Sequence, residues 1–210
     1  MIRRLTTMLT LLASLWIAPA QADPVNLVAF GDSLTAGLGL DQGEAYPAQL
    51  EKALKDKGYE VAIANAGVSG DTASAAAQRV DWSVTDGTAG VIIALGGNDL
   101  LRGIDPAITR KAMTDIVTRL EKRGIPVLLA GMRAPANLGE DYAKEFDAIF
   151  SDLAEQHDLV FMPFFLDGVA TVPARNQPDG IHPNEDGVSV IVGNIFPYVV
   201  ELIERAKKSG

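Results

Sequence analysis

Five short apolar runs, separated by helix-length segments, constrain the fold of this chain more than any other feature of its sequence. Val25 to Phe30, Val61 to Ala66, Val91 to Leu95, Pro126 to Met132 and Leu159 to Pro163 each have the length and composition of a buried strand. Between them apolar residues recur at helical spacing. Tyr46, Leu50, Ala53 and Leu54 follow this pattern behind Pro47, with a stop at Lys57-Gly58. An alanine-rich stretch that Asp71 or Thr72 can cap runs to about Val80. Met113, Ile116, Val117 and Leu120 share a face between Pro106 and Gly124, and Tyr142, Phe146, Ile149, Phe150 and Leu153 share another. A last helical region carries Val188, Ile191, Val192 and Ile195, then Tyr198 to Ile203, with Pro197 expected to break it. Strands joined by crossovers of this length run parallel, since a tight turn can join only antiparallel neighbours. The pattern therefore predicts an α/β domain whose parallel sheet is covered by helices on both faces.

One segment lies outside the pattern. Arg3 and Arg4, the apolar stretch Leu5 to Ala18 and the triplet Ala20-Gln21-Ala22 have the layout of a secretory signal peptide, with cleavage expected after Ala22. The stretch is shorter than the roughly 20 residues a spanning helix needs, so no stable membrane anchor is expected. Residues 1–22 are read as the leader and 23–210 as a single domain, periplasmic or secreted and monomeric. The 27 acidic residues outnumber the 18 lysines and arginines, a net charge of −9 that becomes more negative once Arg3 and Arg4 are removed. Such a surface repels nucleic acid and anionic membranes. The absence of cysteine excludes a disulfide framework, a thiol nucleophile and a cysteine metal site. No cofactor or metal is expected.

Polar clusters stand where three of the runs end. Gly31-Asp32-Ser33-Leu34-Thr35 follows the first, Asn65-Ala66-Gly67 and Ser69-Gly70-Asp71-Thr72 the second, and Gly96-Gly97-Asn98-Asp99 the third. Ligands of open parallel sheets bind beyond the carboxyl ends of the strands, so these clusters share one rim. Ser33 is either a nucleophile offered to the crevice or the cap of a following helix. A serine nucleophile needs a base, and the chain holds only two histidines. His157 ends an amphipathic helix among Glu155, Gln156 and Asp158 and reads as a solvated terminal residue. His182 stands in an irregular loop, three residues after Asp179 and just before Pro183. A carboxylate at that spacing can accept from Nδ1 and leave Nε2 for Ser33, although Asp-Gly and His-Pro are also ordinary turn chemistry. Gly67 can offer a backbone N–H and Asn98 an amide to an oxyanion, with a turn and a cap as their competing roles. Arg102 and Arg133 are candidates for meeting an anionic headgroup, against the alternative that they pair with some of the acids.

Taken in order, GDSLT at 31–35, NAGVSGDT at 65–72, LGGNDLLRG at 95–103 and DGIHPNEDG at 179–187 resemble the sequence blocks of the SGNH (GDSL) hydrolases. With MRAPANLG at 132–139, the wording is most similar to the exported bacterial branch described as multifunctional acyl-thioesterase, protease, lysophospholipase and arylesterase. The resemblance runs through the mature chain and is sparsest over Asp141 to Gln177, the part that would line an acyl groove. It implies a flavodoxin-like three-layer α/β/α fold with strand order 2-1-3-4-5. It also implies Ser33 as nucleophile, His182 as base, Asp179 as its orienter, and an oxyanion hole of the Ser33 N–H, the Gly67 N–H and the Asn98 side chain. The expected activity is hydrolysis of carboxylic esters, with thioesters as further substrates, through an acyl-Ser33 intermediate. Two other readings compete. A polysaccharide deacetylase of the same fold would want an aromatic platform, and only Trp82 remains of the tryptophans once the leader is removed. A flavodoxin-like binding module would want a phosphate-binding fingerprint, and GGND lacks that spacing.

Overall fold

The computed structural model describes residues 24–209, so the leader read at 1–22 lies outside the described residues. The chain begins with β1 (Val25–Gly31), α1 (Ser33–Ala36), α2 (Tyr46–Asp56) and β2 (Val61–Gly67). It continues through α3 (Ala73–Ala77), α4 (Val80–Ser83), β3 (Gly90–Ala94), α5 (Gly97–Leu101), α6 (Pro106–Lys122), β4 (Val127–Ala130), α7 (Glu140–Gln156), β5 (Val160–Met162) and α8 (Glu185–Ser209). The strands form one sheet in the order β2-β1-β3-β4-β5, every pair parallel. This is the topology the resemblance implies.

Burial explains why the strands are apolar throughout rather than alternating. Central β3 is dry on both sides, with Val91, Ile92, Ile93 and Ala94 fully buried, as a sheet between two helical layers requires. On one face α2 packs against α8; on the other α3 packs against α6, and α6 against α7. The stripes read from periodicity are the buried ones: Leu50 and Leu54 in α2, Met113, Ile116, Val117 and Leu120 in α6, and Phe146, Ile149, Phe150 and Leu153 in α7. Tyr142 lies at the edge of its stripe, stacked on Phe146 and donating from its hydroxyl to the Ile104 carbonyl (2.8 Å).

Two helical readings are corrected by tertiary contacts. The alanine-rich segment is not one helix to Val80: it stops at Ala77 and restarts at Val80, because Arg79 leaves helical geometry to drive its guanidinium inward. Thr72 supplies the cap, its Oγ1 accepting from the Ala75 N–H (3.2 Å), while Asp71 is engaged by Arg79 instead. Pro197, expected to break the last helix, lies inside a continuous α8. Val188, Ile191 and Ile195 before it, and Val199, Leu202 and Ile203 after it, are all buried against the core, so packing on both sides outweighs one lost hydrogen bond. By length and hydropathy α8 is also the only helix among the described residues that passes for a bilayer span, but that apolar stripe is taken up by the sheet. Pro197 is itself exposed. Pro197→Ala should restore the missing helical N–H and raise stability by about 1–3 kcal/mol. Urea unfolding measures it, and a destabilised variant would show that the proline shapes the packing of α8.

Candidate active site

The carboxyl ends of β1, β2 and β3 meet where Gly31 lies between Gly67 and Ala94 in the sheet register. Gly31 has to be glycine, since a Cβ there would stand 2.1 Å from Thr35 Oγ1 and 2.5 Å from the Ala94 carbonyl. The chain therefore turns at once into α1, whose N-cap is Asp32 and whose first residue is Ser33. Ser33 is almost buried, and its Oγ lies 2.9 Å from His182 Nε2. The two residues are far apart in sequence and meet only through the fold.

His182 is held from its other side. Its Nδ1 is 2.6 Å from Asp179 Oδ2, while Asp179 Oδ1 accepts the backbone N–H groups of Ile181 (2.9 Å) and His182 (3.0 Å). The left-handed Gly180 closes this turn. The His182 N–H, then the His182 ring and then the Ile181 N–H hold the Asp179 carboxyl down at about 2, so it is ionised at every working pH. An ionised acceptor at Nδ1 fixes the tautomer that leaves Nε2 free to take a proton. The surrounding loop has little regular structure, and side-chain amides take its place. Asn176 Nδ2 donates to the Val169 and Val172 carbonyls, Asn184 Nδ2 to those of Ala174 and Asn176, and Gln177 Nε2 to those of Leu38 and Pro183.

Asn98 projects from the first turn of α5, with Nδ2 3.2 Å from Asp32 Oδ2. It does not cap the segment toward Pro106; Asp105 does, accepting from the Ala107 N–H (2.8 Å). The next residue, Asp99, is fully buried and ties α5 to two neighbours, accepting from the Ala73 N–H and the Thr109 hydroxyl (both 2.9 Å).

Gly67, expected in the oxyanion hole, is kept away from the cavity. Its N–H is spent on Asn65 Oδ1 (2.9 Å), and it does not line the cavity over Ser33. Its lack of a side chain serves packing, since a Cβ would fall 2.2 Å from the Ala36 nitrogen. Of the glycines in this block, the one that lines the cavity is Gly70, left-handed at φ +87° and held through its carbonyl by Arg102 Nη2 (2.7 Å). Neither the Gly70 N–H nor the Ser33 N–H has a hydrogen-bond partner among the described residues. The signal for Gly70 lay in the same block, in the turn Ser69-Gly70-Asp71 that needs a residue tolerant of positive φ.

Ser33, His182, Asn98 and Gly70 open into a cavity of about 600 Å³. Its remaining wall is mostly apolar, including Leu38, Leu101, Met132, Leu138, Phe164 and Ile181. Arg133 joins it, with its guanidinium 5.4 Å from the centroid of the Phe164 ring. Neither Arg102 nor Arg133 reaches a carboxylate among the described residues, contrary to the pairing that so acidic a chain offers. His157 is remote from the cavity: it caps α7, and its Nδ1 lies 2.8 Å from Glu121 Oε2. Chemically, the arrangement can pass the Ser33 proton to an imidazole oriented by Asp179 beside several N–H donors, which is the equipment of acyl transfer.

Comparison with known proteins agrees with this chemistry. Residues 29–190 match the model of the GDSL-like lipase/acylhydrolase family. Esterase TesA of Pseudomonas aeruginosa is 36% identical over 184 residues, covering 87% of this chain and 92% of that one. The thioesterase 1/protease 1/lysophospholipase L1 of Escherichia coli is 36% identical over 181 residues, covering 86% of each. The crystal structure of AlinE4, described as an SGNH-hydrolase family esterase, superposes with a TM-score of 0.74 at 46% identity, covering 87% of this chain and 98% of that one.

Proposed function

The chain belongs to the GDSL-like lipase/acylhydrolase family and is a carboxylic ester hydrolase, and from that premise we propose that it works through an acyl-Ser33 intermediate. His182 takes the Ser33 proton as the hydroxyl attacks the ester carbonyl, and returns it to the departing alcohol or thiol. Water, activated by the same ring, then releases the acid. Asp179 orients the ring and stabilises its protonated form. The tetrahedral oxyanion is received by the Ser33 N–H, the Gly70 N–H and Asn98 Nδ2, with Gly70 taking the place expected of Gly67. The observation that carries this reading is the 2.9 Å contact between Ser33 Oγ and His182 Nε2 beside two unclaimed backbone donors.

The acyl chain is assigned to the apolar wall and the polar part of the substrate to the side of Arg133, which supports lipid-like esters and thioesters over acetylated sugars. Trp82 does not line the cavity, and besides the His182 imidazole the one aromatic ring in its wall among the described residues is that of Phe164, which argues against a stacking platform for sugars at this site. We place the mature enzyme in the periplasm or outside the cell, as a monomer that uses neither metal nor cofactor.

Ser33→Ala should abolish both turnover of p-nitrophenyl butyrate and labelling by a fluorophosphonate; a labelled alanine variant would put the nucleophile elsewhere. Asn98→Ala should lower kcat roughly 10²–10³-fold, about 3–4 kcal/mol, with KM little changed. Arg133→Gln and added salt should each raise KM for phosphate-bearing substrates such as lysophospholipids or acyl-CoA, while KM for neutral nitrophenyl esters stays constant. An equal change for both classes would remove the arginine from substrate recognition. Sequencing of the exported protein should find Asp23 at its N-terminus, and a retained leader would overturn the assignment to the periplasm or medium.

A further inference from the structure

Asp32, the residue before the proposed nucleophile, is 1% exposed. Its Oδ1 accepts from the Leu34 N–H (3.0 Å) and its Oδ2 from Asn98 Nδ2 (3.2 Å). An ionised carboxylate can only accept, whereas a carboxamide has one donor end and one acceptor end. Asn98 must therefore turn Nδ2 toward Asp32, because the reversed amide would set Oδ1 against a buried anion. One Nδ2 hydrogen is used on Asp32, and the second remains for the cavity that Asn98 lines together with Ser33 and His182. Gly97 helps to keep the approach open, since a Cβ there would stand 3.3 Å from Asp32 Oδ2.

We propose that Asp32 is a positioning residue for ester hydrolysis, whose negative charge keeps the donor end of the Asn98 amide available to the oxyanion. This rests on the reading of Asn98 as an oxyanion donor. The role makes a pH-dependent demand. Burial is the main influence on Asp32 and pushes its carboxyl up to about 6, against the hydrogen bonds from Leu34 and Asn98. Among its charged surroundings, His182 in the loop before α8 favours the ionised form and Asp99 in α5 opposes it. Tyr46 in α2 faces it as a neutral phenol whose own ionisation is pushed upward. The charge is thus present at neutral pH and lost as pH falls through this range. A protonated Asp32 can donate, and Asn98 is then free to turn its Oδ1 inward and withdraw its donor.

The test compares kcat for a neutral nitrophenyl ester between pH 5 and 8.5 in wild type, N98A, D32N and the double variant. The wild-type to N98A ratio of kcat should be large above pH 7 and shrink several-fold toward pH 5. Proton uptake common to both enzymes cancels in that ratio, and the measurement needs no variant at Asp32. At pH 8, D32N should lower kcat at least about 10-fold with KM little changed, and the double variant should be no more than about 2-fold slower than N98A. D32N keeps an acceptor for the Leu34 N–H and removes a buried charge, so its Tm at pH 8 should equal or exceed that of wild type, which a merely structural role for Asp32 would not produce. A ratio constant with pH, or losses that multiply in the double variant, would overturn the inference. An N98A enzyme with wild-type kcat would instead remove the oxyanion role of Asn98, and this inference with it.

Discussion

The rim of this sheet depends on a single buried cation. The Arg79 guanidinium lies 4.4 Å from the centroid of the Phe30 ring and donates to the carbonyls of Gly31 (2.8 Å) and Ala66 (2.9 Å), the last turns of β1 and β2. Its Nε is 2.6 Å from Asp71 Oδ2, directly after Gly70. Strand ends inside a domain leave carbonyls that water cannot reach, and an arginine fork satisfies several of them at once. Three separate segments, the strand before Ser33, the strand end at Gly67 and the loop bearing Gly70, are thereby held to one point. Such a pair, with side chains 9% and 14% exposed, adds little net stability over an apolar replacement, yet losing either partner would strand a charge. Its contribution is position.

Elsewhere the fold supports reactive groups by the same logic of satisfied polar atoms. The His182 loop lacks a helix or strand to stiffen it, and the amides of Asn176, Gln177 and Asn184 close it with backbone hydrogen bonds across its own turns. Asp179 is bound three times by the residue pair that follows it, so the proposed base and its orienter move as one unit. Asp32 goes the other way. Burial pushes its carboxyl up to about 6, so the folded state holds a proton more readily than the unfolded chain. Relative to the ionised residue, that contribution favours the fold by about 3 kcal/mol below about pH 4 and is lost as pH rises through about 6. Rules of local stability are broken most often where chemistry requires it, and Asp32 stands beside the proposed nucleophile.

Much of this architecture is legible in the chain. The period-3.6 stripes of α2, α6 and α7 and the dry runs of β1 and β3 need only the alternation of apolar and polar residues to be seen, because burial selects for them directly. Two histidines left little choice of base, but residue type alone left Ser33 open as a helix cap, Asp179 as a turn residue and Asn98 as a cap, and it was the resemblance of their motifs that singled them out. Less accessible was anything that depends on which face of a turn looks into the cavity. Gly67 and Gly70 are three residues apart in one block and equally permissive as sequence, and only the packing of β2 against α1 shows that the first is a spacer. Asp32 read as part of a motif, without sign that it faces Asn98.

Sequence alone determined the class of fold and the parallel sense of the sheet, since these follow from hydrophobic period and connection length, while the hydroxyl, imidazole and carboxylate were named by the resemblance of the motifs that carry them. Tertiary structure decided which glycine meets the cavity, why the helix at Arg79 is interrupted, how Pro197 is carried within α8, and that Arg102 and Arg133 stay apart from the chain's many acids. The division has one physical cause. Periodicity records what each segment buries, which is local to the segment, whereas the direction of a donor and the company of a charge are set by residues that lie tens of positions away.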